Sequence, residues 1–278
     1  MNRKHILFFS VWLLLSACSN QRQSSTDPDE KAVTSQEKSA EKIADTLEIQ
    51  EMEDESAPQP QVETNDLSTN VDVERKDTLG LIVLYPHFST VDLVCGSLPS
   101  RDDNRVILFA EAAYTGELLD SFKHTNIAGD HVSSGQRYPG YKCKRNTGAF
   151  VYYKGQWKFC YQNYATDLAD AARNGGCGFG QELIIHKGKL VSIVRKDGNK
   201  NQFRALCDQQ GRLCIVESVG TTRFGDFKKK LLAIGVTDAI YLDMGAGWNH
   251  AWYRSKGKII ELHPKLHNYC TNWITFFN

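Results

Sequence analysis

Short apolar runs separated by turn residues predict a series of strands in the last two-thirds of the chain. Apolar residues fill some runs and alternate with polar ones in others, as expected for buried and half-buried strands. Two runs flank Lys154-Gly155 and predict a β-hairpin. The predicted strands are 79–85, 105–113, 148–153, 156–161, 181–186, 189–194, 203–206, 213–218 and 272–277.

Two stretches between these runs follow the spacing of an amphipathic helix. The first covers 166–173 and stops at Asn174-Gly175-Gly176, a typical helix end. The second precedes Gly235 and carries apolar residues at Phe224, Phe227, Leu231 and Ile234.

The second helix lies between the strand 213–218 and a β-branched and aromatic run that ends at Asp243. Strand, helix and strand predict a βαβ unit with Asp243 at the carboxyl end of a strand, where open α/β sheets bind ligands. Alternatively, Asp243 caps a turn. The predicted fold class is α+β: a mixed, mostly β sheet core with a few short helices and a C-terminal βαβ unit in a single globular domain.

Residues 114–145 break the pattern, because Gly, Ser, His and Asn dominate there. Compact domains usually keep such long irregular stretches for function. We expect this segment to be a loop that lines a cleft.

The N-terminus has the layout of a bacterial lipoprotein signal. Arg3 and Lys4 precede an apolar run from Ile6 to Leu15, which is too short to span a membrane comfortably, and Ser16-Ala17-Cys18 follows. We therefore expect residues 1–18 to be a signal peptide that ends in a lipobox, with Cys18 lipidated. Ser19 favours the outer membrane of the bacterial cell envelope. The alternative is an ordinary secretory signal.

Charge divides the rest of the chain in two. Residues 19–77 carry 16 acidic and 6 basic residues and almost no aromatics, so they predict a disordered acidic tether. Residues 78–278 carry 25 basic and 17 acidic residues and predict the globular domain. Its positive charge favours anionic polymers outside the cell or is a solvated surface. We expect no nucleic-acid partner.

Seven cysteines remain once Cys18 is set aside, so they cannot all pair within one chain. Export permits disulfides, and no spacing typical of a zinc site is evident. Asp102, Asp103, Asp130 and His131 offer potential ligand atoms without a recognised metal-loop spacing. We therefore predict neither a cofactor nor a metal.

Taken in order, the motifs of the globular part resemble the phosphodiester glycosidase family. The resemblance covers most of residues 80–255. Its landmarks are Ala110–Tyr114, Asn146–Phe150, Gly180–Ile184 with Lys187-Gly188, Arg204-Ala205 and Ala239–Gly245. It implies an exported hydrolase that cleaves the glycosidic bond of a sugar-1-phosphodiester in an extracellular or cell-wall glycan.

That chemistry needs a carboxylate to activate water or stabilise positive charge, and cationic or amide groups to hold the phosphate and sugar. Asp243 is the first catalytic candidate, with Glu182 and Glu111 as competitors. Arg204 matches the family's arginine and is the predicted phosphate ligand, although a surface salt bridge is the alternative. The remaining predicted substrate-binding residues are Gln181, Asn146, Thr147, Gly148, Gly245, Asn249, His250 and His131. Tyr114, Trp248 and Trp252 are candidates for a sugar-stacking wall or for the core.

Two alternatives remain open. The family's usual Asp-Gly-Gly and Gly-Asn-Phe are here Asp243-Met244-Gly245 and Gly148-Ala149-Phe150, which favours a non-catalytic surface lipoprotein that binds anionic glycans through the same cleft. Cys177, between glycines and with histidines downstream, is a weaker candidate for a cysteine nucleophile.

Overall fold

A computed structural model of the chain describes residues 72–116, 121–192, 198–245, 249–263 and 271–278. The predicted signal peptide, Cys18 and nearly all of the predicted tether lie outside the described residues, as does Trp248. No helix within the described ranges is both long and apolar enough to span a bilayer.

The described residues form short strands with few helices. The helices are α1 (Ala165–Arg173) and α2 (Phe224–Ala233), and a 3₁₀ turn covers His124–Asn126. The strands are β1 (Val73–Thr78), β2 (Leu81–Pro86), β3 (Thr90–Cys95), β4 (Val106–Glu111), β5 (His131–Ser133), β6 (Gln136–Tyr138), β7 (Gly148–Tyr153), β8 (Gln156–Tyr161), β9 (Cys177–Gln181), β10 (Leu183–His186), β11 (Lys189–Leu190), β12 (Arg204–Gln209), β13 (Arg212–Ser218), β14 (Val236–Leu242), β15 (Ala251–Ser255), β16 (Lys258–His263) and β17 (Asn272–Phe277).

The strands form three antiparallel sheets. A seven-stranded sheet has the order β1-β2-β13-β12-β14-β10-β11, and two five-stranded sheets have the orders β16-β15-β4-β17-β3 and β6-β5-β9-β7-β8. Strands account for 51% of the structure and helices for 12%. The protein is therefore mostly β, and the α+β class predicted from the sequence is wrong. The two helical patterns in the sequence are regular and do correspond to helices, but these helices form only a small part of a structure built mainly of strands.

The predicted βαβ unit exists in altered form. β13 and β14 run in the same direction, but β12 lies between them and pairs antiparallel with each. The sequence pattern gives the direction of a crossover but not how many strands it skips. β14 still ends beside the start of β12, because Leu242 pairs with Arg204.

Strand alternation gives the seven-stranded sheet two buried faces. Cys207 and Tyr241 lie on the face covered by α2, where Phe227 and Leu231 also pack. Leu206 and Leu242 lie on the other face, in the core shared with strands of the two smaller sheets. Successive residues of β12 and β14 therefore belong to different cores.

The folded part begins earlier than its composition indicates. β1 consists largely of charged, exposed residues and pairs with β2 along its whole length, from Val73 opposite Pro86 to Thr78 opposite Leu81. An edge strand that is exposed to solvent tolerates such residues. Its polar composition therefore resembles that of a disordered segment. Strand structure thus starts five residues before residue 78.

Candidate active site

A cleft of about 670 Å³ opens at the end of β14, on the α2 side of the large sheet. Tyr241 and Asp243 lie at this strand end, and Phe203 and Phe224 pack beside them. The residues that line the cleft are Tyr114, Thr115, Arg145, Gly198, Asn199, Asn201, Gln202, Phe203, Phe224, Tyr241, Asp243, Met244 and Gly245. Among the described residues, one carboxylate, one guanidinium, several amides and two phenols thus share one concave site.

Hydrogen bonds fix both the backbone and the side chain of Asp243. Its N–H donates to the carbonyl of Ala112 at 3.0 Å, and its Oδ1 accepts from the N–H of Gly245 at 3.0 Å. The side chain is nevertheless in contact with the cleft, with 6% of its surface exposed. The turn that Gly245 closes fixes the carboxylate, so the capping and site interpretations of Asp243 are compatible.

Glu182 lies behind the cleft wall. It is fully buried between β9 and β10, and its Oε2 accepts a hydrogen bond from the Tyr114 phenol at 3.1 Å. Tyr114 itself lines the cleft. Glu182 therefore reaches the site through this phenol.

Gln181 supports the same corner. Its side-chain NH₂ donates to the Ala112 carbonyl at 3.4 Å, the group that also receives the Asp243 N–H. Gln181 is fully buried, and its Oε1 accepts from the N–H of Glu182 at 2.9 Å. Two predicted site residues, Gln181 and Asp243, thus donate to the same carbonyl of Ala112. Gln181 does not line the cleft and instead holds the backbone of Ala112.

Arg145 is the guanidinium in the cleft, and the sequence interpretation overlooked it. It is exposed, and its Cζ lies 5.7 Å from the centroid of the Tyr114 ring. The basic run Lys142-Cys143-Lys144-Arg145, directly before the landmark at Asn146, is the signal that could have identified it. Tyr241 was also missed, because an aromatic residue in a strand usually indicates core.

Tyr141 adds a phenol close to Asp243. Burial, with smaller contributions from Cys143 and Asp243, raises the pKa of Tyr141 to about 12. The phenol therefore stays protonated at neutral pH and can donate a hydrogen bond.

Arg204 does not line the cleft. Side chains alternate between the two faces of β12, so Arg204 lies on the same face as Leu206 and opposite to Ala205 and Cys207. There it is fully buried, with Nε 2.9 Å and Nη2 2.7 Å from Glu217 Oε2. The surface salt bridge considered from the sequence is in fact a buried one. Strand alternation, applied to the sequence, would have separated Arg204 from Phe203.

Glu217 is the centre of a buried polar network. His263 Nε2 lies 2.6 Å from Glu217 Oε1, and the Asn249 carbonyl accepts from Arg204 Nη2 at 3.1 Å. Burial opposes ionisation of Glu217, but the charge of Arg204 and the hydrogen bond from His263 outweigh it and lower the pKa of this carboxyl. The network joins the large sheet to β16.

Asn249 and His250 belong to this network rather than to the cleft. Asn249 Nδ2 lies 3.3 Å from His263 Nδ1, and His250 Nδ1 lies 2.7 Å from the His263 carbonyl. The pKa of His250 is lowered, because the effect of burial outweighs the opposing effect of the hydrogen bond to the His263 carbonyl. His250 is therefore neutral at neutral pH, and its ring packs on Phe109.

Asn146, Thr147 and Gly148 have roles in packing and hydrogen bonding. Asn146 Nδ2 donates to the Ala128 carbonyl at 2.9 Å, and Thr147 Oγ1 accepts from the Leu183 N–H at 3.0 Å. A Cβ on Gly148 would lie 2.4 Å from the Cys160 carbonyl, so β7 and β8 need a glycine there. Asn146 lines a smaller cavity beside Gly129 and Tyr164.

Three further candidates do not line the cleft. Glu111 ends β4 opposite Trp273 and is buried. His131 is fully buried in β5, and Trp252 is fully buried against Phe109. These positions place Trp252 in the core.

The six described cysteines, Cys95, Cys143, Cys160, Cys177, Cys207 and Cys214, are free thiols. Cys177, the alternative nucleophile, is fully buried in β9 and donates to the Val91 carbonyl. Burial raises the pKa of its thiol well above the usual range. A thiol without access or thiolate character is a poor nucleophile.

Neither protein-family models nor curated protein sequences matched the chain. Among solved structures, the chain is similar to the zebrafish N-acetylglucosamine-1-phosphodiester α-N-acetylglucosaminidase catalytic domain, auto-inhibited by its pro-peptide. The TM-score is 0.51 and the identity is 14%, over 75% of this chain and 82% of that chain. At this identity the likeness shows a shared fold, in agreement with the fold that the sequence resemblance implies.

Proposed function

We propose that the protein is a hydrolase that cleaves the glycosidic bond of a sugar-1-phosphodiester. The observation that carries this proposal is the meeting of the Asp243 carboxylate and the Arg145 guanidinium in one cleft of a glycosidase fold. A phosphodiester substrate offers both an anionic group for the cation and an electrophilic anomeric carbon for the carboxylate.

Asp243 is the proposed reacting carboxylate. Its backbone is fixed by Ala112 and its Oδ1 is oriented by Gly245, so the carboxylate enters the cleft in one geometry. It would activate water or stabilise the positive charge that develops at the anomeric carbon. The phosphate leaves as an anion and needs little protonation.

Arg145 is proposed to hold the phosphate, with the Tyr114 ring beside it. Arg145 is exposed and can present two parallel N–H groups to phosphate oxygens. The Tyr114 phenol lies next to it and is held from behind by Glu182. Arg204 takes no part in this contact, because it is fully buried on the opposite face of β12 and does not line the cleft.

Other residues of the cleft suit a sugar ring. The rings of Tyr114 and Tyr241 lie 5.6 Å apart at 40° and offer apolar faces, and Asn199, Asn201 and Gln202 offer amides for hydroxyl groups. These groups support a glycan in the same cleft as Asp243.

The proposed location is the bacterial cell envelope. The N-terminal sequence supports export and lipidation of Cys18, and the charge of residues 19–77 supports a tether between the membrane and the enzyme. Replacing Cys18 by Ala should release the protein from the membrane fraction. Membrane association of that variant equal to that of the wild type would contradict lipid anchoring.

The activity is tested by incubating the purified chain with sugar-1-phosphodiesters that vary in sugar and aglycone, and measuring the released sugar. We expect turnover of at least one of these compounds. The matching analogue, in which a carbon replaces the glycosidic oxygen, should not be cleaved. Measurable glycan binding without turnover of any member would instead support the non-catalytic glycan-binding protein.

A further inference from the structure

Three potential metal ligands converge outside the cleft. Cys95 ends β3, His124 begins the 3₁₀ turn, and His131 begins β5. The Cys95 Sγ and one ring nitrogen of each histidine all lie within 4.8 Å of one another. These residues are 29 and 7 positions apart in sequence, so only the fold brings them together.

The distances fit one small metal ion. His124 Nδ1 and His131 Nε2 are 2.9 Å apart. In a tetrahedral zinc site with Zn–N near 2.0–2.1 Å and Zn–S near 2.3 Å, two nitrogens lie roughly 3.3 Å apart and nitrogen and sulfur roughly 3.6 Å apart. A movement of a few tenths of an ångström would therefore bring both imidazoles to ligand distance.

The protonation of His131 is already suited to a metal. Its Nδ1 lies 3.2 Å from the Gly129 carbonyl, and donation to that carbonyl leaves the Nε2 lone pair directed at the cluster. Histidines that bind metals typically donate their other ring N–H to such a carbonyl.

The surroundings restrict the rings further. His124 stacks face to face on Tyr138 and meets the edge of Phe122 at 5.1 Å between centroids. His131 is fully buried and Cys95 is half-buried. The three side chains thus have fixed positions before any ion arrives, which reduces the ordering that binding would require.

We propose that Cys95, His124 and His131 form a site for Zn²⁺, with water as the fourth ligand. One thiolate and two imidazoles form a borderline-soft ligand set that suits Zn²⁺ rather than Mg²⁺ or Ca²⁺. Binding would release the Cys95 thiol proton to solvent, replace the His124–His131 hydrogen bond and leave His124 as the Nε2–H tautomer.

Such an ion would fasten the segment that leads to the cleft. Cys95 belongs to the sheet of β3, β4 and β17, and His131 belongs to the sheet of β5, β7 and β9. The segment between β4 and β5 carries Tyr114 and Thr115 near its start, and Thr115 pairs with Ile127 just after the 3₁₀ turn. The ion would therefore link two sheets across the segment that supplies one wall of the site.

The test uses the purified full-length chain, stripped of metal and titrated with Zn²⁺ or Co²⁺. We expect one equivalent of Zn²⁺ by elemental analysis, and a thiolate-to-cobalt charge-transfer absorption together with the ligand-field bands of tetrahedral Co²⁺. Zn²⁺ at a hundredfold excess over its Kd should raise the melting temperature by about 5–10 °C.

Cys95→Ser should abolish the charge-transfer absorption, and His124→Gln should weaken Zn²⁺ binding at least tenfold. Cys160→Ser and His186→Gln are matched controls, because Cys160 is a buried free thiol elsewhere and His186 pairs with Asp238. The site is refuted if the wild type binds no Zn²⁺ or if Cys95→Ser retains the cobalt thiolate absorption. Should Cys95→Ser not fold, His124→Gln and the cobalt spectrum of the wild type decide the question.

Discussion

The Tyr114 phenol donates to Glu182 Oε2 at 3.1 Å and connects a fully buried carboxylate to the open cleft. Glu182 does not line the cleft, but its hydrogen bond fixes the tyrosine that does. The site therefore depends on residues from the chain around 112–115, from β9 and β10, and from β14, which are far apart in sequence.

Tyr114→Phe tests this relationship. The variant keeps the ring but loses the hydrogen bond to Glu182 that holds it beside Arg145, so kcat/KM for the sugar phosphodiester should fall about tenfold or more. Steady-state kinetics give this value. Tyr161→Phe, an exposed tyrosine away from the cleft, is the control and should be unchanged. Equal activity of Tyr114→Phe and wild type would remove the phenol from the proposed mechanism.

Arg145→Ala tests the phosphate contact. Loss of a charge-assisted hydrogen bond should raise KM roughly tenfold to a hundredfold and reduce the dependence of binding on salt, while the melting temperature stays constant. Arg145→Lys should recover part of the loss, because it restores charge without the planar fork. Arg105→Ala removes an exposed arginine paired with Asp103 and serves as the control. An unchanged KM in Arg145→Ala would exclude this residue as the anion ligand.

Glu217→Gln tests the buried network. The change leaves the Arg204 charge buried without its partner, which should lower the free energy of unfolding by about 3–5 kcal/mol. Denaturant unfolding measures this loss. Glu261→Gln, near the protein surface and paired with Arg101, should cost at most about 1 kcal/mol. A loss as small in Glu217→Gln would mean that the pair does not contribute to stability.

The pH dependence of stability should also change in Glu217→Gln. The folded-state pKa of Glu217 is depressed below the ordinary value of 4.5. Its contribution is therefore complete above pH 4.5 and is lost as pH falls through the folded pKa. Unfolding measured from pH 7 downward should show a shallower acid dependence in Glu217→Gln than in wild type. Parallel curves would contradict the depressed pKa.

Two truncations test where the folded part starts. A chain of residues 72–278 keeps β1, whereas a chain of 79–278 exposes the edge of β2 and part of the core that Val73 covers. We expect the shorter chain to melt at a clearly lower temperature and to aggregate more readily. Limited proteolysis of the full chain should likewise stop near residue 72. Equal stability of the two chains would show that β1 is dispensable.

Local patterns predicted much of the secondary structure. The hairpin 148–153 and 156–161 matches β7 and β8, and the helical stretch 166–173 matches α1 within one residue. The period of apolar residues and the turn Lys154-Gly155 determine these elements locally. β9 was missed because Gly178 and Gly180 resemble a loop, although close packing against β7 and α1 leaves no room for a Cβ at Gly178.

The candidate site was harder to predict because it depends on which face of a strand each residue occupies. Asp243 follows a strand directly, and its position in the cleft agrees with the sequence interpretation. Arg204 was assigned by its landmark, yet alternation along β12 places it with Glu217 on the opposite face. Arg145 belongs to an irregular basic run without periodicity, so only the fold reveals that it lines the same cleft as Asp243.

Asp243→Asn tests the proposed reacting carboxylate, with release of sugar from the phosphodiester that the wild type hydrolyses as the assay. The amide keeps the acceptor for the Gly245 N–H but removes the charge, so turnover should fall at least about a hundredfold while the melting temperature is retained. Asp238→Asn, at the other end of β14 and bonded to His186, is the matched control and should keep full activity. Full activity of Asp243→Asn, or its failure to fold, would instead identify the carboxylate as a structural cap and contradict the account.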